Sequence, residues 1–235
     1  MATVYDLAGL SNAAYLDRQE AVKLGKPSDT PQWDPVQHWT SIVPGFYAAL
    51  YESRTSVNPV QSPMNGVRVL AFRGSNDAWD FLADDVAIAA GGIPPQALPA
   101  LLLPGQTGTN RLIITGHSLG GALAILAAAQ FNVPAVTFNA PGVMDTCVEA
   151  NRDYPSGFKN WLAAIMRCLN GSRIRNFRIG YDAVSSFFTT GFQSGSREEI
   201  STTQCNQLDA LCRHSMATVL SSLAGDPRGA EVISL

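Results

Sequence analysis

Short apolar segments alternate along this chain with stretches whose apolar residues recur at helical spacing. Val67–Phe72, Leu112–Thr115, Val133–Phe138 and Ile174–Ile179 are short, apolar and partly β-branched, a pattern typical of buried strands. Phe46–Ser53 predicts one more strand. Strands that alternate with helices over most of a chain predict a mainly parallel central sheet flanked by helices, the α/β class.

The predicted helices are marked by apolar residues three and four positions apart. They cover residues 3–15, about 120–130, 158–169 and 216–223. The proline-rich segment 16–44 is predicted to be irregular cover. The longest apolar run, Leu119–Phe131, is shorter than the roughly 20 residues that a membrane span needs, so it predicts a buried helix.

Length and charge narrow the possible functions. A chain of 235 residues with 46% hydrophobic content predicts one core and a single domain over residues 1–235. The net charge is −3 and the basic residues are scattered, which argues against a nucleic-acid partner. No basic residue precedes Arg18, so the start does not resemble a secretory signal. Its composition fits the start of the domain or a mature form, and it leaves a cytoplasmic location and non-classical secretion open.

The sequence Gly116-His117-Ser118-Leu119-Gly120 matches the G-x-S-x-G nucleophile elbow, a sharp turn from a strand into a helix. Side chains at positions 116 and 120 would collide with the flanking strand and helix, and Ser118 would stand exposed at the apex. A glycine-rich turn without chemistry is the alternative. The predicted strand before the motif and the helix after it favour Ser118 as a nucleophile.

A nucleophilic serine needs a base, and the base needs an acid that orients it. His214 is the only histidine after Ser118, the position that this chain order requires. The ring of His117 is predicted to point away from the hydroxyl, and His38 to be a packing or surface residue. Asp182 directly follows a predicted strand and is the favoured acid. Asp145 also follows a predicted strand and is an alternative acid. Three other carboxylates, Glu198, Glu199 and Asp209, are predicted to be solvated surface charges. The remaining carboxylates between Ser118 and His214 are Glu149 and Asp153.

Two backbone N–H groups are expected to bind the oxyanion of the tetrahedral intermediate. One belongs to Leu119, the residue after the nucleophile. The second is expected in Phe72-Arg73-Gly74-Ser75, where Gly74 permits close approach and Ser75 offers an N–H and a hydroxyl.

The four cysteines fit no common zinc pattern. A disulfide between Cys205 and Cys212 would close a small loop just before His214 and help to fix it. Buried thiols are the alternative, because the sequence does not establish the redox compartment.

Together these segments resemble the class 3 (fungal-type) lipase family. The matching parts are AFRGS at 71–75, TGHSLGGALA at 115–124, TFNAPG at 137–142, the segment from Asp182 and His214-Ser215. The resemblance implies an α/β-hydrolase fold, a Ser118–Asp182–His214 triad and an oxyanion hole of Ser75 and Leu119. It implies no metal and no organic cofactor.

The resemblance also implies a short lid helix over residues 76–84. Trp79, Phe81 and Leu82 would supply its apolar contacts, and Asp84 would steady Ser75 in the open state. An ordinary amphipathic helix packed on the sheet is the alternative. The short spacing from the oxyanion serine to the nucleophile, and the absence of a proline after the acid, look more like the shorter bacterial relatives.

The sequence therefore predicts a serine carboxylic-ester hydrolase that acts on lipid esters through an acyl-enzyme and contacts a membrane or lipid-droplet surface transiently. Phospholipase A activity and acyl transfer to another alcohol are alternatives within the same chemistry. A non-catalytic lipid-binding domain is the alternative outside it, and the intact Ser118, Asp182 and His214 argue against that reading.

Overall fold

The computed structural model describes residues 2–16, 32–41, 45–54, 66–74, 95–143, 171–187 and 194–235. Within these ranges seven strands form one sheet whose spatial order follows the chain. The second strand is antiparallel to both the first and the third, and every neighbouring pair from the third strand onward is parallel. The strands are β1 (Trp33–Thr40), β2 (Tyr47–Ser53), β3 (Arg68–Phe72), β4 (Leu112–His117), β5 (Ala135–Phe138), β6 (Ile174–Ile179) and β7 (Ser196–Ile200). The predicted α/β class is confirmed.

Helices cover both faces of this sheet. The helices are α1 (Val4–Ala13), α2 (Ala97–Thr107), α3 (Leu119–Phe131), α4 (Ala183–Phe187), α5 (Ala210–His214) and α6 (Met216–Ala224), with a 3₁₀ turn at Pro227–Ala230. One core cluster joins α2 and α3 to one face of the strands. A second joins α1 and α6 to the opposite face. Alternate side chains of strands β2 to β6 enter the two clusters, as the pleat requires.

The first helix begins where its sequence provides a cap. The Thr3 hydroxyl accepts from the Asp6 N–H at 3.1 Å, and the Asp6 carboxylate accepts from the Thr3 N–H at 2.9 Å. This reciprocal pair satisfies two N–H groups that otherwise lack partners at a helix start. Helix α1 then packs against β4, where the Ser11 hydroxyl bonds to the Thr115 hydroxyl at 2.8 Å.

Helix α3 follows β4 directly, and its residues 119–129 are all buried. A helix that is apolar on every side belongs in a core, so the prediction of a buried helix for the longest apolar run is confirmed. No helix in the described ranges combines the length and the apolar character that crossing a bilayer would take.

The prediction of irregular cover for residues 16–44 is wrong for Trp33–Thr40, which form the edge strand β1. Pro35 lies at a shift in register with β2, and residues 35–37 are exposed. An edge strand tolerates proline because one row of its backbone groups faces outward. Helix α2 was not predicted either, because its prolines obscure the helical pattern.

Glu198 and Glu199 lie on strand β7 and pair with arginines of β6. Glu199 is exposed, as predicted, whereas the predicted solvation is wrong for the largely buried Glu198 side chain. Glu198 bonds Arg175 at 2.7 Å, and Glu199 bonds Arg178 at 2.7 Å. The hydrogen bond from Arg175 lowers the pKa of Glu198 and outweighs the opposing effect of burial. Strand β7 thus lacks the apolar alternation of a typical strand, and cross-strand ion pairs contribute to its pairing with β6.

Candidate active site

The turn between β4 and α3 places Ser118 at its apex. Ser118 has φ 57° and ψ −131°, a backbone conformation that non-glycine residues rarely adopt. A Cβ added at Gly116 would lie 2.2 Å from the Gly120 carbonyl oxygen, and one at Gly120 would lie 2.3 Å from that of Phe72. Both positions therefore require glycine, as the sequence predicts.

The nucleophile candidate is enclosed by the ends of neighbouring strands. The prediction that Ser118 stands exposed at the apex is wrong, because this residue is only 2% exposed. Its N–H donates to the Phe138 carbonyl of β5 at 3.0 Å. Its Oγ is buried and makes no hydrogen bond to any residue that the structure describes. A Cβ added at Gly74 would stand 3.3 Å from the Ser118 Cβ and 2.8 Å from the His117 carbonyl. The chain that leaves β3 thus passes directly beside the nucleophile candidate.

Asp182 and His214 meet at the carboxyl edge of the sheet. The Asp182 Oδ1 accepts from the His214 Nδ1 at 2.8 Å, and the carboxylate is fully buried. Its Oδ2 accepts from the N–H and the hydroxyl of Ser185 at 2.8 and 2.7 Å. Burial alone would raise the pKa of Asp182, but the bonds from His214 and Ser185 outweigh it and lower that pKa.

The ionised carboxylate fixes the tautomer of His214. Because Asp182 can only accept, the proton of the neutral imidazole lies on Nδ1. Nε2 then carries the lone pair, which is the atom that a general base needs.

His117 holds the backbone of His214. Its Nε2 lies 2.6 Å from the His214 carbonyl oxygen, which only accepts, so Nε2 carries the proton. Its Nδ1 accepts from the Tyr15 hydroxyl at 2.9 Å. The rings of His117 and His214 lie 4.7 Å apart between centroids. The predicted orientation away from the Ser118 hydroxyl is confirmed, since both ring nitrogens bond elsewhere.

Burial, and to a lesser extent the neighbouring His214, lower the pKa of His117 to about 3. The hydrogen bond to the His214 carbonyl and the Asp182 charge oppose this shift without cancelling it. His117 is therefore neutral at pH 7. With both ring nitrogens bonded and so low a pKa, it is a structural neighbour of His214 and a poor candidate for a general base.

Asn139 makes the second clamp on the loop of His214. Its amide Nδ2 donates to the carbonyls of Arg213 and His214 at 3.0 and 3.2 Å. Its Oδ1 accepts from the Ile179 N–H at 2.8 Å, so one side chain joins the ends of β5 and β6 to this loop. Neither Asn139 nor His117 was assigned this role from sequence, although both lie in the TFNAPG and TGHSLGGALA segments.

The loop before His214 is closed by a disulfide between Cys205 and Cys212, one of the two alternatives that the sequence left open. The buried Arg213 guanidinium donates to the Asn206 and Cys205 carbonyls at 2.8 and 2.9 Å and to the Gly180 carbonyl. A covalent bond and three charge-assisted bonds thus fix this loop against the turn that carries the acid candidate.

Several predicted positions lie outside the described residues: Ser75, Trp79, Phe81, Leu82, Asp84, Asp145, Cys147 and Cys168. The lid and the second oxyanion donor therefore stay predictions. His38 lies on the edge strand and stacks on Tyr47, as expected for a packing or surface residue. Among the residues that are described, no group of three or more His, Cys, Asp or Glu side chains is placed to hold a metal ion.

Comparison with curated proteins identifies lipases and phospholipases. The chain is 36% identical over 126 residues to an extracellular phospholipase A1 of Serratia liquefaciens, which is 50% of this chain and 35% of that protein. It is 48% identical over 52 residues to a putative lipase ATG15 of Eremothecium gossypii, 22% of this chain and 10% of that protein. The matches thus span about a third or less of these relatives.

Solved structures agree on the fold. The Rhizomucor miehei lipase in its propeptide complex superposes with a TM-score of 0.51 at 15% identity, over 98% of this chain and 81% of that one. A triacylglycerol lipase described as having a serine protease triad gives a TM-score of 0.51 at 16% identity, over 86% and 79% of the two chains. These likenesses show an α/β-hydrolase fold.

A model of the phospholipase-like family, described as a Tle-like phospholipase domain, matches residues 6–229. That range holds nearly every element described above, including the elbow and the Asp182–His214 pair. The resemblance to a class 3 lipase-like family is confirmed by these matches together. The chain belongs to the Tle-like phospholipase domain family.

Proposed function

We propose that this chain hydrolyses carboxylic esters of lipids, with Ser118, His214 and Asp182 as its catalytic triad and residues 1–235 as one domain. The observation that carries the proposal is the 2.8 Å bond between the buried Asp182 carboxylate and His214 Nδ1. The strained elbow holds Ser118 next in sequence to His117, which bonds the His214 carbonyl. His117 and Asn139 support the proposal, because both bind the His214 carbonyl. His117 precedes Ser118 in the elbow, and Asn139 follows the neighbouring strand β5.

The reaction proceeds in two halves. Ser118 Oγ attacks the acyl carbon while His214 Nε2 takes its proton, and a bond forms between Oγ and the acyl carbon. The tetrahedral intermediate then expels the alcohol oxygen, which receives that proton from His214. In the second half His214 takes a proton from water, the resulting hydroxide attacks the acyl carbon, and Ser118 leaves with the proton restored.

The oxyanion forms next to the N-terminus of α3. The N–H groups of the first turn of a helix lack intrahelical acceptors, and the helix dipole adds positive potential there. Leu119 supplies the first donor in this proposal, and Ser75 the second. Gly74 supports the placement of the second donor, because only a glycine lets the chain after β3 pass so close to Ser118.

Phospholipid acyl esters are the first substrates to test. The family description and the Serratia phospholipase A1 relative both support them over simple esters. Acylglycerols are the second class, since the structural neighbours include a triacylglycerol lipase.

The test is a hydrolysis panel of a soluble aryl ester, a triacylglycerol emulsion and phosphatidylcholine vesicles. Ser118→Ala should abolish turnover of every substrate that the wild type cleaves. Asp182→Asn should lower kcat by about 10⁴-fold with a small change in KM, because an amide leaves the imidazole in the wrong tautomer. Asp34→Asn is the matched control. Asp34 lies on the edge strand β1 and pairs with the exposed Arg54, so this variant should keep the wild-type rate. Full activity of Ser118→Ala would refute the proposal.

A further inference from the structure

The large apolar side chains most exposed to solvent lie around the proposed triad. Among the residues that the structure describes, Leu208 is 92% exposed, Leu211 71% and Tyr181 65%, whereas other large apolar side chains reach at most 49%. Tyr181 adjoins Asp182, and both leucines lie within the six residues before His214. Exposed apolar groups gathered in one place mark a contact surface more often than scattered ones do.

These side chains belong to two segments that the structure ties together. Leu211 lies three residues before His214 on α5, so the two share a helix face. The Arg213 guanidinium lies 5.7 Å from the centroid of the Tyr181 ring and donates to the Gly180 carbonyl. The carboxyl edge of the sheet therefore carries an apolar rim, which we define as Tyr181, Leu208 and Leu211.

The loop of this rim keeps its shape without burying its leucines. The Cys205–Cys212 disulfide closes it, the Asp209 carboxylate caps α5 by accepting from the Cys212 N–H at 2.9 Å, and Arg213 binds two of its carbonyls. A loop fixed by polar and covalent bonds has no packing use for Leu208 or Leu211. Their exposure is thus a property of a preorganised surface.

Charge favours one kind of partner for this rim. Residues 201–212 contain no Lys or Arg, and their one charged residue, Asp209, is the helix cap. The Arg213 guanidinium that lies over Tyr181 is buried and already donates to three carbonyls, so the rim offers little attraction to an anionic headgroup or a nucleic acid. A second copy of the chain seated on the rim would cover the edge beside His214, whereas a lipid surface in the same place would deliver the substrate.

We propose that Tyr181, Leu208 and Leu211 insert into the surface of a zwitterionic phospholipid bilayer and orient the triad toward it. The role of this contact in delivering substrate rests on the proposed function, whereas binding to the bilayer does not require catalysis. Each leucine that moves from water into the interface should strengthen binding about tenfold. Attraction should depend little on salt, because no charge pairing is involved.

The test measures binding of the Ser118→Ala protein to phosphatidylcholine vesicles by sedimentation, so that hydrolysis does not alter the lipid. Leu208→Ser and Leu211→Ser, introduced together into the Ser118→Ala protein, should lower its partition coefficient onto the vesicles about 100-fold. Adding Leu235→Ser, at a 47% exposed leucine of the C-terminus, is the matched control and should leave binding unchanged. Thermal melting checks that each variant is folded, and Leu208→Ser alone serves if the double substitution lowers the melting temperature.

Three results would overturn the inference. The first is vesicle binding that persists after both serine substitutions. The second is absence of vesicle binding by the Ser118→Ala protein with its rim intact. The third is a dimer, detected by light scattering, that the serine substitutions dissociate. Failure of the proposed function shows differently, as a wild type that hydrolyses no ester while its vesicle binding stays intact.

Discussion

The buried His117 predicts a loss of stability in mild acid. Its pKa in the folded chain is about 3, far below the ordinary histidine value of 6.5. As the pH falls below 6.5, the unfolded chain takes up a proton at this position and the folded chain does not. The stability that the neutral ring contributes is therefore complete above about pH 6.5 and is lost progressively toward pH 3.

The expected magnitude follows from the size of that pKa difference. Each pH unit in the window costs about 1.4 kcal/mol, so a change from pH 7.5 to 5.0 should remove about 2 kcal/mol of unfolding free energy through His117. Asp182 does not add to this change. Its folded pKa lies below the ordinary 3.8, so its contribution is lost only as the pH falls through that lowered value.

His117→Gln is the variant that isolates the effect. The glutamine amide can donate to the His214 carbonyl and accept from the Tyr15 hydroxyl, but it takes up no proton. Urea unfolding at pH 7.5 and 5.0 is followed for both proteins by tryptophan fluorescence, to which the fully buried Trp33 contributes. The variant should lose about 2 kcal/mol less than the wild type on acidification, or roughly 1 M less in urea midpoint. Ser118→Ala keeps every histidine and should show the wild-type acid response, whereas equal losses in His117→Gln and wild type would refute the reasoning.

Two further predictions concern the elbow and the disulfide loop. Gly116→Ala should lower the free energy of unfolding by several kcal/mol or prevent folding, since its Cβ would lie 2.2 Å from a backbone oxygen. Gly225→Ala, whose Cβ would have its nearest neighbour at 3.9 Å, should stay near wild-type stability in the same urea titration. Replacing Cys205 and Cys212 by serine should cost roughly 2.5 kcal/mol through loop entropy and lower kcat for a soluble ester, because the loop of the base is released. An unchanged kcat would show that the remaining polar bonds alone position the base.

The buried strands and the elbow could be predicted because burial leaves a readable pattern. Strands β4 and β5 are buried at every residue, so their sequences are mainly apolar and rich in β-branched residues. The glycines at 116 and 120 mark a turn whose steric demands are local. For the same reason Ser118 could be proposed without knowledge of the rest of the chain.

The edges of the sheet could not be predicted in this way. Strand β1 exposes the middle of its sequence and contains a proline, and β7 replaces apolar alternation with ion pairs to β6. Both strands depend on a neighbour that lies elsewhere in the sequence. Propensity and periodicity describe only one strand at a time, and so they miss such pairing.

The residues that hold the backbone of His214 could not be predicted for a related reason. His117 and Asn139 act through the carbonyl of a residue more than seventy positions away. Nothing in the local sequence indicates which distant backbone group a polar side chain will bind. The identity of the triad candidates follows from chain order, whereas the residues that position them emerge only from the folded contacts.

The hydrogen bond from Tyr15 to His117 connects the segment just after the N-terminal helix with the loop of His214. Tyr15 lies two residues beyond α1, and its hydroxyl is linked to His214 through one imidazole and one backbone carbonyl. Truncating or loosening the N-terminal segment should therefore displace His214 before the sheet unfolds. Under the proposed mechanism, such a change should lower the turnover rate before it lowers the melting temperature.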